Sequence, residues 1–296
     1  MNKRILTILL ICTGIIHSAS AQYYYKELLS NKQLIADRNA YKTNKVRTII
    51  VHSLEATGEP SEGFSCEKKI NKDYSRIETT TEATGTSKSI LTSYFDATGL
   101  PTKTSDYSDI NTTISSYKYD NNNNLINIVS YSYSTQQTDT TLFDFDKNDT
   151  TSLYEEHQYS YNANGQPIKM IKIKNKRDTS VINFVIDGKG NVTDEIETKP
   201  QGRHYYYYYS ENNRLTDIVR YNTIRKKMLP DFMFEYDTDG QLLQMISVEE
   251  EVKNIYSTED NYFIWKYFYN ENGLRIIEKC FSNEKKLLGS FEYEYK

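Results

Sequence analysis

Across residues 46–296 apolar and polar positions alternate with a period of two, in runs rich in Tyr, Ile, Thr, Val and Phe. Clusters of Asp, Asn and Gly separate the runs. This alternation sends successive side chains to opposite faces of a strand, and its short, regular interruption predicts an all-β fold. Residues 23–45 differ. Leu28, Leu29, Leu34 and Ile35 have rough helical spacing, and Pro and Gly are absent, which predicts a short helical lead-in. The organisation expected is a leader over 1–21, a lead-in over 22–45 and one β domain over 46–296.

Within the β region an aromatic turn recurs. Clear copies are Tyr117-Lys-Tyr119-Asp120-Asn-Asn-Asn123, Tyr159-Ser-Tyr161-Asn162-Ala-Asn-Gly165, Phe234-Glu-Tyr236-Asp237-Thr-Asp-Gly240 and Tyr267-Phe-Tyr269-Asn270-Glu-Asn-Gly273. The turns start at Glu55, Glu82, Asp96, Asp120, Asp146, Asn162, Asp187, Ser210, Asp237 and Asn270, with a degenerate copy expected at Asn283. Asp or Asn at the first position can accept a backbone bond two residues on. Gly three places later supplies the positive φ of a hairpin closed by a type I turn and a bulge. At Asn123 and Asn213, Asn replaces it as the non-glycine residue that best tolerates that conformation. A step of about 25 residues is two strands of a meander, and the shorter steps near 14 are single strands crossing to the opposite edge.

Aromatics one and three places before each turn share a face, so they form ladders in neighbouring hairpins. Eight and nine places after the turn start come apolar doublets, such as Ile128-Val129, Met170-Ile171, Ile218-Val219 and Met245-Ile246. A doublet puts one apolar side chain on each face. The sheet is therefore expected to bulge, roll up or meet a second layer. The fold predicted is an antiparallel meander forming a long, twisted, curled or partly rolled sheet.

These residues resemble the YD-repeat family of bacterial Rhs proteins and animal teneurins, whose pattern is close to Tyr-x-Tyr-Asp-x-x-Gly-x-Leu. The resemblance covers most of 46–296 and is strongest over 117–125 and 234–242. It implies hairpins that spiral into a continuous sheet, in Rhs proteins a shell enclosing a toxin, and it implies no enzymatic activity. With about ten units this chain resembles a small exported relative, so a large closed shell is not expected.

The leader sets the address. Lys3 and Arg4 precede a mostly apolar stretch over 5–16, too short to span a bilayer comfortably, and Ala19-Ser20-Ala21 offers a cleavage site before Gln22. This reads as a secretory signal peptide. No later apolar run is long enough for a membrane helix. An outer-membrane barrel is disfavoured because the second strand face repeatedly carries Lys or Glu, as in Ile171-Lys-Ile173-Lys and Phe291-Glu-Tyr-Glu-Tyr. The expected location is periplasmic, outer-surface or extracellular. The net charge of -4 argues against a nucleic-acid partner.

Candidate chemistry is sparse. Asp144, Asp146, Asn148 and Glu155 have calcium-loop spacing, but Phe143-Asp-Phe145-Asp146 is also a repeat copy in register, and the turn explains it without a metal. His52, His157 and His204 are isolated, and no nucleophile or phosphate-loop motif occurs, so no cofactor is implied. Cys66 and Cys280 read as separately buried thiols rather than a pair. The remaining binding candidates are aromatic: Tyr206 and Tyr208 in the five-tyrosine run 205–209, and Trp265. Such rings bury area and keep a polar handle, which suits a sugar or peptide. The expectation is a non-catalytic scaffold or interaction surface at the cell envelope with a protein or glycan partner. The alternative is a glycan- or peptide-binding module on the Tyr/Trp face.

Overall fold

The computed structural model describes residues 23–134, 152–200, 202–222, 226–249 and 261–296. A helix, α1 (Tyr25–Thr43), comes first. It is followed by β1 (Thr48–Glu55), β2 (Ser65–Ile70), β3 (Arg76–Glu82), β4 (Ser89–Phe95), β5 (Pro101–Ser108) and β6 (Asn111–Tyr119). Next come β7 (Leu125–Ser134), β8 (Leu153–Tyr161), β9 (Pro167–Lys174), β10 (Asp178–Ile186), β11 (Val192–Glu197) and β12 (His204–Tyr209). The last six are β13 (Leu215–Asn222), β14 (Lys227–Tyr236), β15 (Leu242–Glu249), β16 (Asn261–Tyr269), β17 (Arg275–Phe281) and β18 (Leu287–Tyr295).

Each strand pairs antiparallel with the next, and β18 pairs with β1 from Tyr295 opposite Ile49 to Gly289 opposite Glu55. The sheet therefore closes into an 18-stranded barrel, which corrects the expectation of a curled or partly rolled sheet. Closure leaves no unpaired edge. It also continues the apolar row of Phe291, Tyr293 and Tyr295 into Ile49 and Val51 on the inner face.

Turns that follow even-numbered strands share one rim. Those starting at Asp96, Asp120, Asn162, Asp187, Ser210, Asp237 and Asn270 all lie there. At each, the fourth residue donates its N–H to the first carbonyl, and the first N–H reaches the carbonyl of the fifth. The side chains of Asp96, Asp120, Asn162, Asp187 and Asn270 accept the N–H groups two and four places on. The fourth residue has positive φ throughout, including Asn123 and Asn213 at +64°. The strand register shifts just before each turn, as between Ser160 and Tyr161 or Phe268 and Tyr269. The degenerate copy starts at Ser282, one residue before the expected Asn283, with Lys285 in the left-handed position. The copy at Asp146 lies outside the described residues.

The aromatic residue before the turn does more than stack. Its hydroxyl donates to the carbonyl of the residue five places into the preceding repeat on the same rim. Tyr161 reaches Leu125 at 2.6 Å, Tyr209 reaches Val192 at 2.9 Å and Tyr269 reaches Leu242 at 3.0 Å. Tyr295 makes the same bond to Arg275 at 2.6 Å. Neighbouring turns also nest. A Cβ at Gly190 would lie 2.5 Å from Gln166, and one at Gly240 would lie 2.7 Å from Arg214. At Gly190 and Gly240 the turn glycine thus meets two demands, backbone conformation and close approach.

Gly99→Ala tests both, because Gly99 has φ +96° and its Cβ would sit 2.5 Å from Nη1 of Arg38. It should destabilise the fold by about 1–2 kcal/mol, or more if Arg38 cannot move. Asn123→Gly, at a position already left-handed, should change the urea midpoint little.

Candidate functional site

The lumen is filled from within by the start of the chain. Tyr23 packs on Tyr205, Tyr207 and Phe232, with ring centroids 5.7, 6.2 and 6.1 Å apart. Tyr25 packs on Phe184 and Tyr207 at 6.2 and 5.1 Å. These partners come from β10, β12 and β14, so the first turn of α1 is enclosed by the barrel wall. Towards its other end, Arg38 donates from Nε to the Tyr74 carbonyl at 2.8 Å, and Asn31 bonds the Tyr119 hydroxyl at 2.8 Å. Two apolar clusters result. One joins residues 23–29 to β6–β14; the other joins Leu34, Ala40, Tyr41 and Val46 to β1–β4 and β15–β18.

α1 has no side-chain N-cap of its own. Glu195 of β11 supplies one: its two oxygens accept the Tyr24 and Tyr25 N–H groups at 2.8 and 2.7 Å, and the Tyr207 hydroxyl donates to it at 2.9 Å. A carboxylate also suits the positive end of the helix. Burial pushes the Glu195 carboxyl up to about 7, against the three donors that hold it down.

Beside this cap lies a charged cluster. His157 Nδ1 is 2.8 Å from Glu27 of α1, and its Nε2 is 3.0 Å from Glu155, an ion pair off the line of a good hydrogen bond. Glu155 also holds Lys172 at 2.9 Å, and the Tyr159 hydroxyl donates to Glu27 at 2.6 Å. Burial works to lower the His157 pKa, but Glu27 and Glu155 more than offset it and hold it at about 9. Burial would raise Glu155, yet His157 and Lys172 hold it at about 2. A histidine that keeps its proton at neutral pH between two carboxylates is not a general base. The cluster fastens α1 to β8 and β9.

The sequence-predicted residues fall in three places. Trp265 is fully buried in the lumen, beside Met245 and Cys280 in register, and stacks on Phe291 at 6.4 Å. It is separated from any outer-face site. Tyr206 and Tyr208 point outward, alternating with buried Tyr205 and Tyr207. Of the calcium candidates, Asp144, Asp146 and Asn148 lie outside the described residues, and Glu155 is bound to Lys172 and His157. Among the described residues no three His, Cys, Asp or Glu side chains form a metal-binding group. Cys66 and Cys280 are buried on β2 and β17 without a disulfide between them.

Sequence reasoning missed Glu195 and Glu278. Both stand eight places after a turn start, where Ile128, Met170, Ile218 and Met245 face the lumen. A charge at that position is the signal. Glu278 is likewise buried, and it bonds Arg275 at 2.7 Å and the Tyr293 hydroxyl at 2.6 Å.

On the outer wall, Tyr206 stacks on His204 at 3.9 Å, and His204 bonds Asp194 at 2.8 Å. Tyr208 is 51% exposed. It flanks an open groove of about 400 Å³ between the turns that start at Asp187 and Ser210.

Fold and site together define an antiparallel β-barrel wrapped around its own N-terminal helix. No protein-family model matches the chain, and no curated protein matches it. Among solved structures it is similar to the TcdB2-TccC3-TEV complex, with 12% identity and a TM-score of 0.34, covering 80% of this chain and 12% of that one. It is also similar to the Photorhabdus luminescens Tc holotoxin pore carrying a TccC3 mutation, with 13% identity and a TM-score of 0.28 over 85% and 17% of the two chains. A porin-like protein from Bacteroides uniformis matches at 9% identity and a TM-score of 0.36, over 85% and 98%. The chain thus spans a small part of the Tc structures it matches.

The helix cap makes stability depend on pH. Glu195 and His157 bind protons more tightly in the folded chain than at their ordinary values of 4.5 and 6.5. Their contribution is full below those values and is lost as pH rises through about 7 and about 9. Glu155 acts oppositely: its contribution is full above 4.5 and lost as pH falls through about 2. The melting temperature should peak near pH 4.5 and fall by about 5 °C or more by about pH 9. In Glu195→Gln the melting temperature should start lower, since the amide nitrogen faces backbone donors, and the fall between about pH 5 and 8 should flatten. An unchanged slope in calorimetry would remove Glu195 as its source.

Proposed function

We propose that this chain is an exported, non-catalytic repeat protein that acts as a scaffold or interaction surface at the bacterial cell envelope. The observation that carries this reading is the state of the lumen. Among the described residues, Glu195, His157, Glu155 and Glu278 are bonded to α1 or to neighbouring side chains of the wall, so the outer wall is the surface left to meet a partner. Export rests on the leader sequence. The wall is wet: Lys103, Lys118, Lys266, Glu292 and Glu294 are exposed along it. A membrane barrel carries the opposite arrangement, apolar outside and polar within. No helix among the described residues is long and apolar enough to cross a membrane. The acidic balance speaks against nucleic acid, leaving a protein or a glycan as the partner.

A second reading makes the chain a glycan- or peptide-binding module. Exposed Tyr208 beside an open groove of mixed lining favours it, and the face it uses is the Tyr206 and Tyr208 row without Trp265.

Cross-linking in native envelope fractions tests the proposal. The protein should be recovered from the extracytoplasmic fraction with its sequence starting at Gln22. Partner cross-links should map to Lys103, Lys118 or Lys266 and not to Lys172. Recovery from the cytosol would sink the reading, as would an enzymatic turnover abolished by Glu155→Gln.

A further inference from the structure

The seven turns on the shared rim follow one rule, and the copy at Ser210 departs from it. It combines three features that no other copy brings together: its first residue is Ser rather than Asp or Asn, its left-handed residue is Asn213, as at Asn123, and the outward residue two places before it is Tyr208, as at Tyr94. The Ser210 hydroxyl accepts only the Arg214 N–H, at 3.3 Å. In five sister turns the carboxylate or amide also takes the N–H two places on. Here that donor, the Asn212 N–H, has no side-chain acceptor. Ser210 and its neighbours line one side of the groove of about 400 Å³. Asp187, Lys189, Asn191, Tyr208, Ser210 and Asn213 line it. Its size falls within the range of small-molecule sites.

We infer that this inter-turn groove is a saccharide subsite in which Tyr208 is the platform for a sugar ring. The inference rests on the second reading above and places it at one location. The chemistry is mixed as a sugar requires. The Tyr208 ring offers an apolar face and a hydroxyl free of protein bonds. Lys189 and the Asn213 amide nitrogen, both on groove-lining residues, offer donors. Asp187 Oδ2, already bonded to Asn191 at 3.1 Å, keeps capacity for a second donor. Asn191 also donates to the Asn213 side-chain oxygen at 2.6 Å, which leaves the Asn213 amide nitrogen to act as a donor. A peptide fits less well. Extended peptides bind sheets by adding a strand to an open edge, and a closed barrel has none.

The test uses the full mature chain and an immobilised panel of oligosaccharides built from neutral hexoses, N-acetylhexosamines and uronic acids. Wild type should bind at least one class. Tyr208→Lys, which installs the residue found at the equivalent Lys118, should weaken binding about tenfold or more. Ser210→Asp, which restores the turn rule, should weaken binding similarly while holding or raising the melting temperature. A change at the same level four strands away, Phe268→Lys on β16, should leave binding intact. The uronic acid arm reports whether Lys189 sets a preference for acidic sugars, through its loss in Lys189→Gln. If wild type binds a sugar and neither groove variant weakens it, the groove is wrong while the binding-module reading stands. If wild type binds no saccharide, or binds an unstructured peptide pool equally well, the saccharide inference falls whatever the variants do.

Discussion

A closed barrel of eighteen strands is too wide for wall side chains alone to meet across it; barrels of this size ordinarily enclose an aqueous channel. Filling the bore is the constraint from which the rest follows. Large rings answer it from the wall, where Tyr159, Phe184, Tyr205, Tyr207, Trp265 and Phe291 are buried. A helix answers it from the axis. Each brings a polar cost. Tyrosine carries a hydroxyl into the interior, and the rows satisfy it through the carbonyl of a neighbouring repeat. The helix brings unpaired N–H groups at its start, and Glu195 reaches from the wall to take two of them. Removing either partner would leave a buried group unsatisfied, which costs about 1–3 kcal/mol.

The turns were legible because their chemistry is local. Asp or Asn at the first position and Gly or Asn at the fourth are visible in seven residues, and Asn123 and Asn213 adopt the left-handed conformation that their place in the motif requires. Closure was not legible. The pairing of β1 with β18 joins residues more than 200 positions apart, and no local pattern encodes it. The orientation of Trp265 was within reach. It stands five places before Asn270, in phase with Tyr267 and Tyr269, and period-two alternation sends all three to the lumen. The Tyr205 to Tyr209 run obeys the same phase, which separates three inward rings, Tyr205 and Tyr207 buried and Tyr209 half-buried, from two outward ones. Nothing in the sequence around Glu195 names its partner, because the helix start lies 170 residues away.

The filled lumen also separates this barrel from the shell picture that the repeat suggests. A shell encloses a cargo; here residues of the chain's own N-terminal segment occupy the space. The interior charges follow the same logic. His157 sits between Glu27 and Glu155, and Glu155 reaches Lys172, so each charge is spent on another or on fastening α1. Such a cluster resembles catalytic machinery in composition, yet its histidine lacks the free lone pair a base needs.

Repetition then decides where variety is tolerable. The residues one, three and five places before a turn face the lumen and are bound by its volume. The residues five and eight places after it are bound likewise, and Glu195 and Glu278 enter that row only with dedicated partners. The residue two places before the turn faces water. There the seven copies carry Tyr94, Lys118, Ser160, Val185, Tyr208, Glu235 and Phe268, which share neither size nor charge. A position that the fold leaves unconstrained can be shaped by contacts outside the fold. Tyr208 is the copy at which that freedom coincides with a relaxed turn and an open groove, so the departure from the construction rule and the available surface meet in one place.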